Sequence, residues 1–198
     1  MVPILILAAG ASTRMRGRDK LLEMVHAEPL LRRVAKAALT SGQSVMVALP
    51  PGAVLRRAAL AGLPVELLTV ADATTGMAAS IRAGVAALPA TATGLMLMLA
   101  DMPDIGPDDI HALLSAHDGT PDAPILRAAG AGGEPGHPVL FPARFFPQLR
   151  ALTGDAGARA ILSDPSAPVQ LIPLPDRRAV TDLDTPEDWD RWRAANPT

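Results

Sequence analysis

Short apolar runs alternate with amphipathic stretches almost from one end of the chain to the other. Residues 2–8, 44–49, 65–70, 95–100, 123–128, 139–141 and 169–174 read as strands. Several are apolar at every position, the pattern of a strand covered on both faces. Helical spacing predicts helices over 29–40, 53–60, 77–88, 107–116, 156–162 and 186–194. Pro107 and Pro186 fall in first turns, where a missing N–H costs nothing. Asp184 and Thr185 stand where they can cap the last helix. The β–α alternation predicts an α/β protein with a mostly parallel sheet between two helical layers. No repeat and no linker divides the chain, so a single domain over 1–198 is expected.

In open α/β sheets ligands gather beyond the carboxyl ends of the strands. Two loops there have unusual chemistry. The first strand runs into Leu7, Ala8, Ala9, Gly10, Ala11, Ser12, Thr13, Arg14 and Met15, with Lys20 soon after. Small residues let the backbone approach a ligand, and its exposed N–H groups suit phosphate oxygens. Arg14 and Lys20 add the positive charge that a triphosphate tail needs. Spacing rejects two better-known phosphate motifs. Lys20 is followed by Leu21 rather than Ser or Thr, and no glycine stands between Gly10 and Gly17.

The second loop follows the apolar run 94–100 and begins at Asp101-Met102-Pro103. An aspartate there is a turn or cap residue ahead of Pro103, or it meets a cation, because an isolated buried carboxylate is expensive. Magnesium suits the second reading, since it takes one or two carboxylates and completes its shell with phosphate and water. The glycine-rich stretch 130–136 reads as a surface loop or as a substrate-facing one. His26, His111 and His117 read as surface residues. Met96, Met98, Trp189 and Trp192 read as packing residues.

Composition narrows the field. A hydrophobic fraction of 49% suits a globular chain. The formal charge of −2 argues against a broad nucleic-acid surface, though not against a local anion pocket. The absence of cysteine excludes disulfides, thiolate zinc sites and thiol nucleophiles. The apolar N-terminal run is too short to span a bilayer and follows no cationic stretch, so it reads as a strand. The cytoplasm is the expected location, with no membrane partner.

Leu7-Ala8-Ala9-Gly10, Ser12, Arg14-Met15, Gly17 and Lys20 together resemble the signature L-A-A-G-x-S-x-R-M-G-x-x-x-K, with a small shift around the glycine. It is the signature of nucleotidyltransferases similar to molybdenum cofactor cytidylyltransferase and guanylyltransferase. One departure is Arg16, which replaces the first glycine of a pair often found there. The resemblance runs from Leu5 to Asp188 and implies the Rossmann-like α/β/α nucleotidyltransferase fold. It implies that Asp101 binds the metal. Asp184, ahead of Thr185-Pro186-Glu187-Asp188, is implied as a second metal ligand or else caps its helix, with Asp182 close by.

The segment Gly76-Met77-Ala78-Ala79-Ser80 resembles the cytidylyltransferase branch, where Ser80 would face base and ribose or merely pack a helix start. Gly136-His137-Pro138 and Gly154-Asp155-Ala156-Gly157-Ala158-Arg159 also fit that branch. In relatives these segments border the acceptor, which makes His137, Asp155 and Arg159 acceptor-side candidates. A structural histidine and a solvated arginine are the plainer readings.

The implied reaction is magnesium-dependent transfer of CMP from CTP to a molybdopterin-type cofactor, with pyrophosphate released. A molybdoenzyme or its chaperone is the implied protein partner. The alternatives are a GTP-using guanylyltransferase, a cytidylyltransferase for a sugar or polyol phosphate, and a non-catalytic cofactor carrier.

Overall fold

The computed structural model describes residues 1–155 and 157–197. A seven-stranded sheet runs through its centre in the order β5-β4-β1-β6-β8-β7-β9. These strands are β1 (Ile4–Leu7), β4 (Val45–Leu49), β5 (Glu66–Thr69), β6 (Gly94–Leu99), β7 (Ile125–Ala129), β8 (Pro135–Pro142) and β9 (Val169–Pro173). Neighbours pair in parallel except at β8, which is antiparallel to both β6 and β7. The mostly parallel mixed sheet of the expected nucleotidyltransferase fold is therefore present.

Helices α1 (Leu30–Leu39), α2 (Val54–Ala59), α3 (Met77–Ala86), α4 (Pro107–Ala116), α5 (Phe146–Arg150), α6 (Arg159–Leu162) and α7 (Pro186–Ala195) flank the sheet. Strand alternation divides the core into two layers. Ile4, Ile6, Val45, Val47, Met96 and Met98 face one side, where Leu30, Ile110 and Trp189 of α1, α4 and α7 cover them. Leu5, Met46, Leu95 and Leu97 face the other, beneath Ile81 of α3 and Leu149 of α5. Gly84 lets α3 sit directly on β1, since a Cβ there would lie 2.3 Å from Leu5 Cδ2.

All seven strands lie where the apolar runs predict them. Strand β8 is longer than the expected 139–141 because Pro135-Gly136-His137-Pro138, which reads as a turn rather than as an apolar run, extends its ladder. The approach at Gly136 is close enough to demand glycine: a Cβ would sit 1.8 Å from the carbonyl oxygen of Ala179. The helix expected over 156–162 begins at Arg159. Ala156 and Thr198 lie outside the described residues. Helix α5 and the hairpin of β2 (Met24–Val25) with β3 (Glu28–Pro29) were not foreseen. The hairpin turns through His26 and Ala27 at φ 45° and 66°, a geometry without a glycine to mark it. His117 corrects another expectation: it is half-buried, with both ring nitrogens out of solvent and unpaired. No helix is long and apolar enough to cross a membrane among the described residues.

Candidate active site

Strands β1 and β6 are parallel neighbours with Leu7 beside Leu99, so the two chemically unusual loops leave the sheet side by side. The Ala100 amide donates to the Leu7 carbonyl at 3.3 Å and holds the two exits together. Beyond Ala8 the first loop bends sharply. Ser12 and Arg16 adopt left-handed conformations (φ 51° and 52°) on either side of a single turn, Thr13–Met15. The side chain of Met15 is wholly buried and anchors that turn from below. A Cβ at Gly10 would meet no protein atom within 4 Å, so the space beside it is open.

The loop is also clamped by a residue the sequence reading overlooked. Arg56 of α2 is buried, and its guanidinium donates to both carboxylate oxygens of Asp19, at 2.6 and 3.0 Å. A third bond runs to the carbonyl of Ala8 at 2.6 Å, and a fourth, longer one to Ser12 Oγ. Nothing in the pattern distinguishes Arg56 from its neighbour Arg57, because both stand in an amphipathic helix where arginine is ordinarily solvated. The Ser12 hydroxyl is turned toward this clamp, donating to Asp19, and Ser12 is not among the residues lining the cleft described next.

Lys20 sits at the junction of the two loops. Its ammonium bonds the carboxylate of Asp101 and, at 2.6 Å, one oxygen of Asp184. Arg14 bonds the other Asp184 oxygen. The side chains of Lys20 and Asp101 are only 14% and 17% exposed, so this is a partly desolvated cluster rather than a surface ion pair. Burial opposes the charged form of Lys20, but Asp101 and Asp184 outweigh it and hold the ammonium above its ordinary range. Burial raises the Asp182 carboxyl, as do the charges of Asp101 and Asp184.

The capping expectation for Asp184 is corrected. Thr185 caps α7 in a reciprocal box with Asp188, which leaves the Asp184 side chain free to point into the cluster. The Leu183 amide donates to the Asp101 carbonyl at 3.1 Å and brings this distant segment alongside.

The donor set suits a hard divalent cation. Asp101 Oδ1 is buried without a hydrogen-bond partner, while Oδ2 and a second carboxylate, that of Asp184, both reach the Lys20 ammonium. No cluster of three or more metal-ligating side chains occurs among the described residues. Two carboxylates match an ion that takes its other ligands from phosphate and water.

A cleft of about 700 Å³ opens above this cluster. Leu7, Ala8, Ala9, Gly10 and Ala11 form one wall, and Arg14, Lys20, Asp101 and Asp184 line its floor. Ser80, buried in the second turn of α3, lines the facing wall. That helix begins at Gly76, whose φ of 107° favours glycine. A Cβ there would lie 2.1 Å from Asp155 Oδ1, so α3 and the loop at 154–155 are in close contact.

A second cavity of about 510 Å³ adjoins the first and shares Leu7, Met77 and Asp155 with it. His137 and Arg159 line this second cavity and not the first. Burial, reinforced by the charge of Arg127, pushes the His137 imidazole down to about 4. It is therefore neutral near pH 7, and its Nδ1 is buried without a partner.

Several known proteins share this framework. A curated relative, nicotine blue oxidoreductase of Paenarthrobacter nicotinovorans, is 30% identical over 92% of this chain and 91% of its own. Purine catabolism protein PucB of Bacillus subtilis is 30% identical over 63% of this chain, and the match spans 59% of that protein's length. The crystal structure of Rv0371c from Mycobacterium tuberculosis H37Rv superposes with a TM-score of 0.85, at 29% identity, over 96% of this chain and 97% of its own. A complex of Rv0371c with manganese has also been solved; it superposes at 0.80, with 27% identity and 96% of each chain covered. Residues 4–170 match the MobA-like NTP transferase domain. The fold, the paired strand exits and this match together make the chain a nucleotidyltransferase that belongs to the MobA-like NTP transferase family.

Proposed function

We propose that this enzyme transfers CMP from CTP to the phosphate of a molybdopterin-type molybdenum cofactor, with magnesium as the working ion and pyrophosphate as the second product. One observation carries the reading. The carboxylates of Asp101 and Asp184 converge on the Lys20 ammonium at the foot of a glycine-containing loop. Asp101 and Asp184 would hold the metal. Bound there, the ion would supply positive charge against the phosphates.

The remaining work belongs to the protein. Backbone N–H groups around Gly10 and the cations Arg14 and Lys20 hold the triphosphate tail and offset the charge that builds on pyrophosphate. Ala9 narrows the wall of the cleft by a methyl group, which favours a pyrimidine over a purine. Ser80 faces the nucleoside from α3. An acceptor phosphate is already ionised near pH 7, so its oxygen attacks the α-phosphorus without a general base. A new P–O bond forms, the bond to the β-phosphate oxygen breaks, and pyrophosphate departs with the electron pair. Positioning and charge neutralisation supply the catalysis. The cytoplasm is the compartment this reaction calls for, and a molybdoenzyme or its chaperone is the natural recipient of the product.

The test is a pyrophosphate-release assay with each of the four common triphosphates, with and without magnesium, in the presence of the molybdenum-loaded pterin. CTP should be used, and only when magnesium is present. Faster turnover of GTP would overturn the base assignment. Failure to release pyrophosphate with any of the four triphosphates would overturn the transfer itself.

A further inference from the structure

The second cavity is lined by two arginines, and the one carboxylate in its wall, Asp155, makes an ion pair with neither among the described residues. Arg127 lies in the middle of β7, and Arg159 opens α6. Both line the cavity, and among the described residues neither has a carboxylate within ion-pair distance. Arg127 is held in place from behind: Nε donates to the Gly136 carbonyl at 3.1 Å and one terminal nitrogen to the Pro135 carbonyl at 3.2 Å. Burial and the nearby Arg159 guanidinium both press against its charge. The rest of the wall is largely apolar, with Ile81, Leu97, Val139 and Phe141 prominent. Arg127 is half-buried and Arg159 exposed, and a partly desolvated guanidinium facing a second one is unfavourable unless an anion bridges them. A planar donor fork suits the paired oxygens of a phosphate.

We infer that Arg127, with Arg159, forms a subsite for the dianionic phosphate of the acceptor, and that Arg127 makes the enzyme selective for phosphorylated acceptors. The inference rests on the nucleotidyl-transfer reading for the identity of the step. The opening shared at Leu7, Met77 and Asp155 lets a phosphate held here face the nucleotide cleft. The apolar wall accommodates the uncharged body of the acceptor. His137 is neutral, so it supplies hydrogen bonding but no third charge. Selectivity for a dianion over an uncharged alcohol then falls to the two arginines. Arg127 is fixed by the strand edge and Arg159 rides on an exposed helical turn, so Arg127 is the more preorganised of the pair.

The test uses phenyl phosphate as probe, with phenol as the uncharged control, titrated into the full-length protein already saturated with magnesium and CTP. Phenyl phosphate should bind and phenol should not. Arg127→Gln should weaken phenyl phosphate binding at least tenfold and leave CTP affinity within about twofold, and Arg127→Lys should recover part of the loss. Arg159→Gln, at an exposed position, serves as a second variant if Arg127→Gln folds poorly, and should weaken the probe several-fold. Equal binding by the unaltered protein and both glutamine variants would overturn the subsite, as would phenyl phosphate binding to the CTP-free protein that is lost once CTP is saturating. Phosphate binding that depends on Arg127 in a protein that never releases pyrophosphate would uphold the subsite and sink the reaction. Pyrophosphate release with an unchanged acceptor KM in Arg127→Gln would do the reverse.

Discussion

At the end of β6, five buried residues and a half-buried Leu99 lead to Asp101, so its carboxylate emerges from an apolar wall with few ways to be solvated. One oxygen engages Lys20 and the other is buried and unpaired. A group in that position is costly to keep unless something binds it. Replacing it with alanine removes one of two converging carboxylates while Lys20 retains Asp184. Asp101→Ala should therefore lower magnesium-dependent pyrophosphate release by roughly a thousandfold, by analogy with losing a preorganised electrostatic group. Its urea midpoint should move little. Near-normal turnover in that variant would remove Asp101 from the metal site.

Arg56 makes the opposite kind of contribution. It holds the loop from behind and also lines the cleft. Arg56→Met would leave the Ala8 carbonyl without its side-chain donor and strip Asp19 of its charged partner, leaving it only Ser12 and the Leu21 amide, at a cost on the order of 2–4 kcal/mol. The expected signature is a lower urea midpoint together with a raised KM for the nucleotide. Unchanged stability would mean that the loop holds its shape without the clamp.

Among the elements, α7 shows how a cap far along the chain shapes the site. Thr185 accepts from the Asp188 amide at 3.2 Å, and Asp188 bonds back to the Thr185 amide at 2.8 Å. That reciprocal pair starts the helix and aims Asp184 away from the cap, toward Arg14 and Lys20. Thr185→Ala should cost about 1 kcal/mol of stability, the usual value of a lost N-cap. Because Asp184 directly precedes the cap, magnesium affinity should fall as well. A thermal shift measured with and without magnesium separates the two effects; a loss of stability with metal affinity unchanged would show that Asp184 is aimed by other contacts.

Over the whole molecule, acid should unfold this protein earlier than its surface charge suggests. The His137 imidazole is held down to about 4 by burial and by Arg127. In the unfolded chain it takes up a proton near its ordinary 6.5. Between those values the unfolded state binds the proton and the folded state does not, so stability falls as pH drops through that window. The loss reaches about 2 kcal/mol by pH 5 and about 3 kcal/mol below pH 4. His117, lowered by its own burial, acts in the same direction. Thermal midpoints at pH 7 and pH 5 should converge in His137→Asn relative to the unaltered protein. An identical pH dependence in the two proteins would show that His137 titrates normally.

What could be read from the chain alone was whatever depends on local periodicity and on short contiguous spacing. Seven apolar runs gave seven strands: the central ones, β1, β4 and β6, are covered on both faces and so must be apolar throughout, while the more exposed edge strands β5 and β9 keep enough apolar residues to be read. The loop from Leu7 to Lys20 and the Asp101 turn stood out because their residues are adjacent in sequence. Only the tertiary structure decided which distant side chains meet them. Asp184 reads as a cap or as a second metal ligand, and only the bond from the Leu183 amide to the Asp101 carbonyl and the Thr185 cap bring its side chain into the cluster. Arg56 and Arg127 read as ordinary polar residues until burial and missing partners give them their meaning. Burial and charge pairing arise between segments far apart along the chain, and no local pattern of residues encodes them.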